Sequence, residues 1–228
     1  MERVTTELRD DVALLVWDDG KANTFSRASI AEANAALDRA ADAGAKAIVL
    51  TGRPGTFSAG FDLKELGRGG PEANDLLRAG AGLLLRVYGS PIPVVAACTG
   101  HALGMGALLL LSSDVRIGAD TPCKIALNES RISMHLPTFA VELAEARLSK
   151  RHLTRSAILA QIHAPASAAE AGFLDRTAPA ERLLDDALAE ARDIASFAGK
   201  HVARTKQAFR RALIERVAAS IEAEFPVR

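Results

Sequence analysis

Two short runs rich in β-branched and large apolar residues open the chain, Val4 to Leu8 and Val12 to Trp17, with the polar Arg9, Asp10 and Asp11 between them. That pattern predicts an opening hairpin, and the DDGKAN stretch after it reads as a turn. From Ser29 to Ala43 the spacing becomes helical, with Ile30, Ala33, Asn34, Leu37 and Ala41 recurring on one side and Gly44 as the stop. KAIVLT, Lys46 to Thr51, then reads as a buried strand.

The order repeats. A Gly-rich loop from Gly52 to Gly60 leads to a helix around Pro71 to Tyr88 and a strand at Pro93 to Thr99. A second Gly-rich loop precedes an apolar helix, Ala107 to Ser112, and short strands at Asp114 to Gly118 and Lys124 to Leu127. Strands alternating with helices predict an α/β fold with crossover connections. From about Phe139 the pattern is helix after helix. Ser167-Ala168-Ala169-Glu170 reads as a capping box, with Gly172 as the stop. Phe209, Leu213, Val217, Ile221 and Phe225 recur every fourth position as an apolar stripe on one long terminal helix, which needs its own core or another subunit to pack against.

A chain of 228 residues can bury a sizeable core as one domain, or as one domain with a small C-terminal appendage. Its 28 Lys and Arg balance 28 Asp and Glu, so the electrostatic footprint of a nucleic-acid binder is missing. Cys98 and Cys123 stand in apolar contexts without metal-ligand spacing and read as reduced core thiols. MERVTTELRDD is charged from its second residue, unlike a signal peptide, and PVVAAC and ALLLL are far too short to span a bilayer. The expectation is a soluble, cytoplasmic protein with neither nucleic-acid nor membrane partners.

Three segments carry candidate chemistry. In Thr56 to Lys64 (TFSAGFDLK) the small residues at 58 to 60 allow close backbone approach, and free N–H groups there suit half of an oxyanion hole. An ordinary glycine turn entering a helix explains the same residues. In Thr99 to Ala107 (TGHALGMGA) a glycine-spaced turn opens an apolar helix whose N-terminus offers unpaired donors. Its spacing matches neither a dinucleotide fingerprint nor a phosphate-binding loop, and close helix–strand packing is the competing explanation. In Ala126 to Arg131 (ALNESR) a carboxylate, Glu129, follows a short apolar strand, where burial can raise its pKa into the range of proton transfer. A solvated or ion-paired glutamate is the plain alternative.

In order and content these segments resemble the enoyl-CoA hydratase/isomerase (crotonase) family. The resemblance runs through Lys21-Ala22-Asn23, AGFDLK at 59 to 64, the PIPVVAACTGHALGMGALLLLSSDVRIGAD block at 91 to 120, ALNE at 126 to 129 and APASAAEAGFLDR at 164 to 176. It implies a core of repeated ββα units over residues 1–165, with a C-terminal helical oligomerisation region over 166–228. It also implies a homotrimer or dimer of trimers, an acyl-CoA thioester substrate, and no cofactor beyond the coenzyme A that the substrate carries. The N–H groups of Phe61 and Met105 match the family's two carbonyl-polarising donors, although Met105 stands where glycine is usual. Ala59, Gly60, Asp62, Leu63 and Lys64 match the coenzyme A path with Ala22 nearby, and Gly104, Leu108 and Asn128 complete the implied substrate-binding set.

Hydratases of the family carry two catalytic glutamates. Here Leu108 occupies the first position and Glu129 the second, a pattern similar to single-glutamate enoyl-CoA isomerases with L-N-E. The resemblance therefore implies movement of a double bond from C3 to C2 by one base. A hydratase, another enolate reaction such as thioester hydrolysis or dehydration, and a noncatalytic acyl-CoA-binding paralogue are the alternatives. His101 is expected to be structural, His135 to border the acyl pocket, and Asp114 to cap or pair at a strand start. Arg204, Lys206, Arg210 and Arg211 read as a solvated basic face. By resemblance, Lys206 and Arg210 are candidates for the coenzyme A phosphates of a neighbouring subunit.

Overall fold

A computed structural model of the chain describes residues 2–226. The hairpin forms as read: β1 (Val4–Arg9) pairs antiparallel with β2 (Val12–Trp17), and Asp10 takes a positive φ at the turn. After β3 (Thr24–Phe25), Ser26 caps α1 (Arg27–Asp42) by accepting from the Ser29 N–H while the Ser29 hydroxyl accepts from the Ser26 N–H. That exchange satisfies donors a helix start leaves open. β4 (Ala47–Thr51) follows.

The first Gly-rich segment is not a plain loop. It contains β5 (Gly55–Ser58) and β6 (Gly60–Phe61), then a one-turn α2 (Leu63–Leu66) and α3 (Gly70–Gly89). The second likewise carries β8 (Gly100–Leu103), between β7 (Val94–Cys98) and α4 (Met105–Ser112). β9 (Val115–Ala119) and β10 (Ile125–Ala126) precede a single 3₁₀ turn, Glu129–Ile132, and α5 (Thr138–Arg147). The strand-strand-helix unit thus repeats, as β4-β5-α3, β7-β8-α4 and β9-β10-α5.

The main sheet runs β1-β2-β4-β7-β9-β11, parallel throughout except for the opening hairpin. Its last strand, β11 (Arg176–Ala178), lies where the sequence pattern predicts only helices. Two small parallel sheets, β10-β8-β5 and β3-β6, sit beyond the main one. Successive side chains of a strand point to opposite faces, and here both faces are covered. Ile48 and Leu50 of β4 join the core under α1, α3 and α4, whereas Ala47 and Val49 meet Leu183, Ala187, Leu188 and Ala191 of α8 (Leu183–Phe197). The loops leaving β4 and β7 emerge at the carboxyl ends of parallel strands, where open α/β sheets place ligand sites.

The helical tail comprises α6 (Lys150–Leu153), α7 (Pro165–Ala171), α8 and α9 (Lys200–Glu224). Three expectations change here. Ser167 is not a cap: α7 begins at Pro165, whose fixed φ suits a first helical position, and the Ser167 hydroxyl donates to Ala164 O. Gly172 does end that helix, at φ 94°. On α9, Leu213, Val217, Ile221 and the capping Phe225 bury against the chain's own core, with Phe225 packed 6.3 Å from the Phe139 ring. Phe209 does not join them and is 86% exposed. Lys206 and Arg210 are not a solvated face either. Both bind the Asp114 carboxylate, at 2.7 and 2.9 Å, and Asp114 also accepts from the Val94 N–H. Cys98 is buried, which pushes its thiol up to about 12, and Cys123 is half-buried; both are unpaired. Among the described residues no helix is long and apolar enough to cross a membrane.

Candidate active site

β6 lies in a two-stranded sheet with β3 alone. The Asp62 N–H donates to Phe25 O across that pair. Successive N–H groups of a strand point to opposite edges, so the Phe61 N–H points away from β3, along the free edge. The neighbouring donors are occupied, Ala59 N–H by Ala22 O and Gly60 N–H by the Ser58 hydroxyl.

Met105 is the first residue of α4, and the first intrahelical bond there is Leu108 N–H to Gly104 O. The Met105 N–H therefore has no partner within its own helix and sits at the positive end of the helix dipole. Gly60 brings the two donors to one place. A methyl carbon built on it would lie 2.9 Å from Leu103 O and 3.5 Å from Met105 N, and its φ of +94° disfavours any side chain.

Gly104, at φ +51°, faces the carboxylate: a carbon added there would stand 3.3 Å from Glu129 Oε1 and 3.7 Å from Asn128 Oδ1. Glu129 opens the 3₁₀ turn after β10, whose pairing with β8 brings the turn alongside the start of α4. Among the described residues Glu129 Oε2 is buried without a hydrogen-bond partner. Burial pushes the Glu129 carboxyl above its ordinary range, against a smaller downward pull from its own backbone N–H.

These parts line one cleft of about 230 Å³. Ala59, Gly60, Phe61, Leu63, Gly104, Met105, Asn128 and Glu129 border it, together with Leu66, Leu103, Ile132 and Met134. Among the described residues Glu129 is the single carboxylate in that wall. Four of the residues singled out in the sequence lie elsewhere. Leu108 is buried in the core, Asp62 caps α2 by accepting from Lys64 and Glu65 N–H, Lys64 is exposed, and Ala22 holds the Ala59 N–H. Met134, not the exposed His135, reaches the cleft, and the His101 ring accepts from the Lys124 N–H as a structural contact. Leu66, Leu103, Ile132 and Met134 carried no separate signal, being apolar residues that tertiary contacts bring to the wall. Lys206 and Arg210 are committed to Asp114 at the amino ends of the strands, away from this cleft.

Two readily polarising N–H groups beside a half-buried carboxylate with one enclosed, unpartnered oxygen can bind a carbonyl oxygen and move a proton next to it. The chain is similar to known proteins. The human protein named enoyl-CoA delta isomerase 1, mitochondrial, is 32% identical over 182 residues, which are 78% of this chain; the chain spans about 60% of that protein's length. A probable enoyl-CoA hydratase of Bacillus subtilis is 32% identical over 143 residues, 61% of this chain and 55% of that protein. The crystal structure of an enoyl-CoA hydratase/isomerase family protein from Pseudomonas syringae superposes with a TM-score of 0.95 at 39% identity, covering 97% of this chain and 96% of that one. The enoyl-CoA hydratase/isomerase family model matches residues 7–227, and the chain belongs to that family.

Proposed function

We propose that this chain moves the double bond of a 3-enoyl-CoA thioester to C2, using Glu129 as its single base. The thioester oxygen accepts from the Phe61 and Met105 N–H groups. Glu129 takes a proton from C2, and the C–H electron pair becomes a dienolate delocalised onto that oxygen. The same carboxyl then returns the proton at C4, where the C3–C4 π pair becomes the new C–H bond; the pair at C2 closes the C2–C3 double bond, the oxygen reforms its carbonyl, and no oxidant or second reactant is required. An oxyanion donor of this type is worth about 3–4 kcal/mol in the transition state. Coenzyme A enters as part of the substrate, and the step needs no other cofactor.

The observation that carries this reading is the lone carboxylate. Glu129 stands beside Gly104 and Met105 with no second acid among the described residues of the cleft wall, and Leu108 is buried apolar core. Water addition across a 2-enoyl thioester is served best by two positioned carboxylates, one for the water and one for the α-carbon. The test incubates purified protein with 3-enoyl-CoA and with 2-enoyl-CoA, following isomerisation and water addition separately. Isomerisation lost in Glu129→Gln with coenzyme A thioester binding kept supports the proposal. Water addition as the main reaction would assign a hydratase, and tight binding with neither reaction would assign a noncatalytic binder.

The proposal extends to assembly as a homotrimer or a dimer of trimers. Its support is a groove of about 920 Å³ between α5, α8 and α9, flanked by Phe197 and Phe209, which are 63% and 86% exposed. Aromatic residues so exposed on one groove mark a surface that a subunit covers. Light scattering of the unaltered chain and of Phe209→Glu tests it, with a monomer in both cases against the assignment.

A further inference from the structure

We infer that Gly80 sets the length of acyl chain this cleft accepts, by housing the ring of Phe61; the inference rests on the acyl-CoA reading given above. Gly80 lies buried in the middle of α3, a place where glycine is disfavoured relative to alanine. The neighbourhood explains its presence. A methyl carbon built on Gly80 would lie 2.5 Å from both Cε1 and Cζ of Phe61 and 3.4 Å from Met105 Cε. Gly82, two positions along the same helix, has nothing within 4 Å. The space at Gly80 is therefore taken by one ring, and the space at Gly82 by none.

That ring belongs to a residue of the cleft wall. Its other neighbours are fixed: Phe25 meets it edge-on at 6.5 Å and is fully buried, and Met105 is 1% exposed. With Phe25, Met105 and a filled Gly80 site closed to it, a displaced ring turns toward the cleft. The Phe61 N–H need not follow, because β6 is held by its pairing with β3. Gly80 is thus a specificity-determining position that acts through the Phe61 side chain, separate from the Phe61 N–H. The thioester carbonyl and the three carbons that react are placed by the Phe61 and Met105 N–H groups and by Glu129, so lost space falls on the distal chain.

The test uses saturated thioesters, which bind without reacting. Titration calorimetry with butanoyl-CoA and decanoyl-CoA is run on the unaltered chain, Gly80→Ala, Gly80→Ala/Phe61→Leu and Gly82→Ala. Gly80→Ala is expected to weaken decanoyl-CoA by about tenfold or more, the scale of a methylene misfit, and butanoyl-CoA by less than about twofold. Phe61→Leu in the same chain restores decanoyl-CoA, and Gly82→Ala changes neither while raising Tm. Should Gly80→Ala fail to fold, Phe61→Leu alone tightens decanoyl-CoA relative to butanoyl-CoA. Equal weakening of both thioesters, or no change in either, would overturn the assignment. Failure of the unaltered chain to bind either thioester would overturn the acyl-CoA reading itself, and this inference with it.

Discussion

Replacing Glu129 by glutamine separates catalysis from stability in one variant. Glu129 is half-buried, its enclosed Oε2 has no partner among the described residues, and its pKa stands above the ordinary 4.5 because partial burial penalises the charged form. Loss of a positioned general base lowers kcat by about 10²–10⁴. The fold should gain where Glu129 is charged, since glutamine removes the charge, and leaving a charged group unsatisfied costs more than the about 1–3 kcal/mol of a neutral one. The sign follows from linkage. Below the unfolded-state pKa both states hold the proton and no penalty exists, whereas above the raised folded-state pKa the full penalty applies. Glu129→Gln should therefore melt with the unaltered chain near pH 4 and above it near pH 8. At about 2–4 °C per kcal/mol for a chain of this size, a gain of about 1–2 kcal/mol is a rise of roughly 2–8 °C. Scanning calorimetry at both pH values, with the isomerase assay at the higher, measures this. A lower Tm at pH 8, or an offset independent of pH, would refute the claim that Glu129 is held unpartnered for proton transfer.

The acid limb of kcat/KM for 3-enoyl-CoA should fall with one proton uptake, at a pH above the usual glutamate range, because Glu129 must be ionised to accept the C2 proton; a pH–rate profile reads it directly. Met105→Pro deletes one proposed oxyanion donor at the helix position that tolerates proline best, so kcat should drop about 10²–10³ while circular dichroism stays near that of the unaltered chain. Asp114→Asn leaves Lys206 and Arg210 buried without their shared counter-charge, and urea unfolding should show a loss of about 3–5 kcal/mol.

Much of the frame was legible because its signals are local. The hairpin, α1 and the central strands follow from alternation, helical spacing and glycine stops. The short strands inside the Gly-rich segments were not, since Gly100–Leu103 and Gly60–Phe61 become strands only by pairing with distant partners. β11 is three residues long and owes its place to β9. The supposed cap at Ser167 failed because Pro165 starts the helix earlier, and that proline was in the sequence to be read. A repeat of four drifts roughly 40° per step against a helix of 3.6 residues per turn, so Phe209 leaves the buried face that Leu213, Val217 and Ile221 share. Lys206 and Arg210 looked solvated because their counter-charge lies about ninety residues away. The site itself was legible as three ordered segments, and the structure adds the distances that bring Gly60, Met105, Gly104 and Glu129 together. Met134 and Ile132 in its wall, and the slot at Gly80, depend on tertiary packing with no local pattern to announce them.

The central claim is that one carboxyl carries one proton from C2 to C4. A 3-enoyl-CoA deuterated at C2, turned over in ordinary water and followed by mass spectrometry and NMR of the product, tests it most directly. The account predicts 2-enoyl-CoA with part of the label recovered at C4, and no such product from Glu129→Gln. Label absent from C4, with isomerisation surviving in Glu129→Gln, would contradict it.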